Sequence, residues 1–122
     1  MEAEAARSVA KRSSTTLAWL LVLVAGFIEV AFALALKESD GFSKLWPSVI
    51  AMACGGCSFG MLTWALRSLP VGTAYAVWTG LGAAGTVIVG IIALDEPSSA
   101  GRLISVALVL AGIVGLKLYE KA

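Results

Sequence analysis

Four long apolar runs constrain this chain more than any other feature. They are Leu17 to Leu36, broken only by Glu29; Trp46 to Leu66 and Ser68 to Leu94, neither with a charge; and Leu103 to Leu116. A helix crosses a hydrocarbon layer of roughly 30 Å in about 20 residues, so each of the first three runs can span a bilayer. The fourth lies between Arg102 and Lys117, whose side chains can snorkel, and Leu118 and Tyr119 lengthen it to a workable span.

Composition agrees: of 122 residues, 59% are hydrophobic and 14% charged, a balance that a water-exposed surface does not sustain. The expected architecture is an all-α membrane protein with four transmembrane helices over about 17–37, 46–66, 70–94 and 100–119. Residues 17–122 form the membrane domain. Residues 1–16, with Arg7, Lys11, Arg12 and the run Ser13-Ser14-Thr15-Thr16, read as a flexible or surface-lying arm. The first run also has the basic start and Ala33-Leu34-Ala35 of a cleavable signal, but it is longer than a signal core, carries an acid and precedes three further spans. Pro47, Pro70 and Pro97 fall where helices start or stop.

Counting Lys and Arg by side of the membrane sets orientation. The terminal side holds Arg7, Lys11, Arg12, Arg67, Lys117 and Lys121, and the opposite side Lys37, Lys44 and Arg102. Six against three places both termini in the cytoplasm, but without the arm the count is three against three, so the helical core carries almost no bias. Four helices do not readily enclose a transmembrane path, and transporters often pair inverted halves around a central site. With no internal repeat here, a second chain must supply the other half. A net charge of +1 without a basic block excludes nucleic acid as a partner, and the absence of His excludes a histidine-ligated metal. No cofactor is expected.

Glu29 lies about 18 Å along its helix from Leu17 and about 10 Å from Leu36, too deep to snorkel. An acid there costs roughly 3 kcal/mol on insertion scales and marks a functional position. The plainer alternative is a neutral Glu acting as packing glue between helices. Its helical neighbours Ala25, Gly26, Phe32 and Ala33 are mostly small and leave room beside the carboxyl. A carboxyl that holds either a proton or a cation, never both, couples their movements in opposite directions.

Tyr75, Trp78 and Gly82 fall on one stripe of the third helix, offering a hydroxyl, an indole and a gap. Aromatic faces and a Tyr hydroxyl suit a planar or hydrophobic cation, although an interfacial aromatic belt would give the same stripe. Ser58 can donate to a carboxylate, or be satisfied by the carbonyl one turn back. Gly80-Leu81-Gly82-Ala83-Ala84-Gly85 mimics a dinucleotide fingerprint but follows no strand; Gly82 and Gly85 are read as points of close helix approach or kinking. Cys54-Gly55-Gly56-Cys57 lies within a span, without a companion pair or a nearby cation, and is read as small-residue packing. Ser105 and Gly112, with Ala107, Ala111 and Gly115, make the last helix the candidate dimer seam, the alternative being contact within its own chain. No nucleophile, base and orienting group cluster, so the chain does not read as an enzyme.

These residues carry a family likeness. Ala25-Gly26-Phe27-Ile28-Glu29-Val30, Leu36-Lys37, Gly41-Phe42, Pro47-Ser48, Leu69-Pro70 and Gly72-Thr73-Ala74-Tyr75-Ala76-Val77-Trp78-Thr79-Gly80 resemble the small multidrug resistance transporters over residues 18–119. Thr79, Gly82-Ala83 and Gly112-Ile113-Val114-Gly115-Leu116-Lys117 look like the guanidinium-exporter branch. The resemblance implies an antiparallel dimer in the cytoplasmic (inner) membrane that exchanges protons for cations by alternating access. Glu29 would then bind proton or substrate, Ser58 and Trp78 would hydrogen-bond or orient it, Tyr75 would line the pathway and Gly26 would give room. Guanidinium exporters usually have Trp where this chain has Phe32. Phe keeps the ring and loses the N–H donor, which favours hydrophobic quaternary ammonium ions. The basic arm is a second departure: a homodimer is expected, and the arm's three extra positive charges leave one half of a heterodimer with a paralogous chain as the alternative. The expected partners are thus guanidinium or a quaternary ammonium ion, protons and the lipid bilayer; a non-transporting membrane subunit is the remote alternative.

Overall fold

The computed structural model describes residues 1–119, apart from the side chains of residues 9–14. Its elements are four helices: α1 (Glu2–Glu38), α2 (Leu45–Ala65), α3 (Val71–Ala93) and α4 (Ala100–Leu118). Each holds a stretch long and apolar enough to cross a membrane, that of α1 being Thr15–Glu38. Side chains such as Trp46, Ile92 and Leu108 are largely exposed on the isolated chain, as lipid-facing residues should be.

The segment expected as an arm has helical backbone from Glu2 and runs unbroken into the first span. Ala3, Glu4, Ala5, Ala6 and Arg7 are strong helix formers, and Glu2 and Glu4 complement the helix dipole in the first turn. The side chains of Lys11 and Arg12, and Lys121 altogether, lie outside the described residues, so the orientation count rests on the sequence for them.

The turns follow local chemistry. The α1–α2 turn takes Asp40, Gly41 and Phe42 through positive φ, a left-handed run that only Gly41 adopts without steric cost. Buried Ser39 holds it: its hydroxyl donates to Leu36 O at 2.7 Å and accepts from Phe42 N at 3.1 Å. Pro47 occupies the first turn of α2, Pro70 precedes α3, and Ser99 caps α4 by accepting from Arg102 N.

α1 packs along both α2 and α3, which touch each other little, and α4 packs on α3. The core is Ala18, Trp19, Val22 and Ala25 of α1, Leu62 and Ala65 of α2, Leu69 of the turn, and Ala74, Val77 and Trp78 of α3. The helical spacing of Ala18, Val22 and Ala25 turns one stripe of α1 inward, and the alanines let backbones approach where no hydrophobic force drives helices together in lipid. None of the residues of α4 is buried. At the terminal side the Lys117 ammonium lies 4.9 Å from the Trp19 ring centroid and Arg67 lies 5.4 Å from that of Trp64. Such aromatic and basic pairs suit the membrane–water boundary.

Candidate functional site

The site forms where α1 meets α3 and α2 together. Glu29 is half-buried, and its Oε2 is enclosed with no hydrogen-bond partner among the described residues. The carboxyl points at Gly82 of α3, where an added Cβ would overlap the carboxylate and lie 2.6 Å from Cδ. Gly82 is thus the gap the acid occupies. The same seam is closed by Gly85, whose Cβ would stand 2.7 Å from Val30 Cγ2, and by Gly26, whose Cβ would stand 2.8 Å from Leu81 Cδ2. The room Gly26 leaves is therefore filled by Leu81. Gly82 and Gly85 serve contact between α1 and α3 within the chain.

One turn away, a hydrogen-bonded bridge crosses three helices. Trp78 Nε1 donates to Ser58 Oγ at 2.8 Å, and Ser58 Oγ donates to Ala25 O at 2.7 Å. All three residues are buried. Ser58 thus donates neither to Glu29 nor to a carbonyl of its own helix. In a helix, Ala25 O also accepts the backbone N–H of Glu29, so the bridge grips the turn that carries the acid. Phe59 and Tyr75 lie edge-on to Trp78, with ring centroids at 5.0 and 5.4 Å. Tyr75 is about half exposed (49%), so of the expected stripe only Trp78 and Gly82 face inward. Phe32, three residues beyond Glu29, packs instead on Gly55 of α2.

Sequence reading missed two participants, Phe59 and the Ala25 carbonyl. Phe59 lies next to Ser58, so a signal existed; a backbone acceptor has none. The α4 residues stay apart: Ser105 is exposed and donates to Gly101 O, and nothing lies within 4 Å of a Cβ added at Gly112.

Four membrane-crossing helices, with an acid enclosed at the contact of the first with the third, define a small multi-pass membrane protein. The family described as Small Multidrug Resistance protein matches residues 17–109, and this chain belongs to it. It is 53% identical over 102 residues to a guanidinium exporter of Citrobacter freundii, covering 84% of this chain and 97% of that one. Guanidinium exporters of Yersinia pseudotuberculosis serotype I and of Salmonella typhimurium strain LT2 are 52% and 50% identical over the same length, again 84% of this chain and 98% and 97% of theirs.

Proposed function

We propose that this chain is a proton-coupled antiporter that exports guanidinium or small guanidinyl cations across the cytoplasmic membrane, proton and substrate competing for Glu29. The observation that carries the reading is the unpartnered Glu29 oxygen, enclosed within a membrane span and seated on Gly82. A packing Glu would hydrogen-bond a neighbouring helix; the Ser58 hydroxyl, the nearest donor by sequence logic, is committed to Ala25 O. The names of the relatives supply the cation. A planar guanidinium suits a carboxylate in bidentate fashion and an aromatic face such as Trp78 or Tyr75.

Assembly in this reading is an antiparallel dimer with a Glu29 from each subunit at a shared centre. It is supported by α4, none of whose residues is fully buried within its own chain, and by the balanced charges of the helical core. A homodimer is the simpler form. A heterodimer with a paralogous chain would explain the three added positive charges of residues 7–12.

Proton-driven guanidinium uptake into proteoliposomes tests the proposal. Wild type should accumulate guanidinium against a gradient while releasing protons, and Glu29→Gln should not; equal transport by the variant refutes the mechanism. Phe32 favours a second reading, export of quaternary ammonium ions, because it offers a ring without a donor. A tetraalkylammonium ion run in the same assay separates the two.

A further inference from the structure

Among the described residues α1 and α4 share no close backbone contact, since α4 packs on α3. A cleft of about 250 Å³ lies between them, lined by Trp19 and Leu23 of α1 and by Ile113, Val114, Lys117 and Leu118 of α4. Its walls expose only apolar atoms, so Lys117 lends it the aliphatic stem. The ammonium itself lies over the Trp19 ring, 4.9 Å from its centroid.

The two ends of the cleft differ in chemistry, because α1 enters the membrane where α4 leaves it. Trp19 and Lys117 lie at the terminal-side boundary, and Leu23, Ile113 and Val114 lie about one helical turn (~5 Å) nearer the bilayer centre. Trp19 brings no donor to the rim: its indole N–H is enclosed, with no acceptor among the described residues. The charge of the rim is therefore that of Lys117. No carboxylate among the described residues pairs with it; the ion pair there, Arg102–Glu96, belongs to the opposite side of the membrane. A basic rim over an apolar cleft fits an amphiphile with an anionic head and a hydrocarbon tail. A second helix is too wide, since one turn of a helix about 10–12 Å across fills roughly 400–600 Å³; a single hydrocarbon chain is not.

We propose that this cleft binds an anionic phospholipid of the terminal-side leaflet. Lys117 holds a phosphate oxygen by a charge-assisted hydrogen bond, the Trp19 ring packs at the level of the glycerol, and one acyl chain lies along Leu23, Ile113 and Val114. The lipid thereby joins α4 to α1, two helices whose backbones do not meet. The excess of Lys and Arg on the terminal side, six against three, draws the same class of lipid to that surface. The site is separate from Glu29 and does not rest on the transport reading.

Native mass spectrometry of the full-length chain, released from detergent micelles, counts bound lipid on monomer and dimer separately. Phosphatidylglycerol is the probe, with phosphatidylcholine and inorganic phosphate as comparison arms. Wild type should bind phosphatidylglycerol about fivefold more tightly than phosphatidylcholine, the weight of one basic residue near an anionic headgroup, and inorganic phosphate should not displace it. Lys117→Gln should weaken phosphatidylglycerol about fivefold and phosphatidylcholine less than about twofold, while Lys117→Arg keeps the wild-type preference. Trp19→Phe should also keep it, because the ring and not the N–H is used. Leu23→Trp fills the cleft from α1 and should abolish binding of both lipids; if that variant fails to fold, Val114→Phe fills it from α4 with the same expected loss. Equal affinity for the two lipids, no effect of Lys117→Gln, displacement by inorganic phosphate, or full binding with the cleft filled overturns the proposal.

Discussion

Removing the Ser58 hydroxyl breaks two hydrogen bonds, and the structure says they are unequal. Trp78 Nε1 is left a buried donor with no acceptor, whereas Ala25 O keeps the intrahelical bond from Glu29 N–H. In water-soluble proteins a buried donor stripped of its partner costs about 1–3 kcal/mol. Between membrane helices, however, such bonds average about 0.6 and reach about 1.7 kcal/mol, because the unfolded chain in lipid also finds partners. The membrane scale governs here, so Ser58→Ala should destabilise by about 1.5 kcal/mol, most of it from Trp78. Trp78→Phe removes the donor while keeping a ring, at an added packing loss that cancels in a double-mutant cycle. Reversible unfolding in mixed micelles titrated with a denaturing detergent reads all four proteins. A coupling of about 0.6 kcal/mol or more is expected, the double variant being less damaged than the sum of the singles. Additivity within about 0.3 kcal/mol would mean that the bridge contributes nothing to stability, and would refute the reasoning.

Two further outcomes follow. Gly82→Ala should lower stability by about 1–3 kcal/mol through overpacking, and abolish cation binding as the new methyl displaces the Glu29 carboxyl, read by unfolding and by binding on the same sample. Glu96→Gln should cost less than about 1 kcal/mol, since the Glu96–Arg102 pair is one-third exposed on each side (33% and 33%) at 3.3 Å; salt titration of the unfolding midpoint checks it.

The spans were legible because uninterrupted apolar runs have one physical explanation, and Glu29 because it interrupts the first. The start of α1 was not. Ser13 to Thr16 reads as a polar break, but helix formers on one side and a span on the other carry the helix through it. Ser58 and Trp78 could be picked out as polar groups in apolar runs, yet their pairing depends on which helices touch, a property of packing and not of local pattern. Gly55 lay within a motif read as plain small-residue packing. That Phe32, 23 residues earlier, packs on it appears only in the folded chain.

The peripheral seat of α4 also bears on the order of events in the chain's life. α1, α2 and α3 already hold the bridge and the acid between them, so the site can consolidate before α4, made after them, finds its place on α3. On the proposed assembly, pairing would be a late, bimolecular step that depends on how many copies share the membrane. In the single chain, α4 is covered by α3, by the Lys117–Trp19 contact with α1 and otherwise by lipid. On the proposed pairing, the unpaired subunit would be the less protected form, and its abundance would follow that of the chain it pairs with.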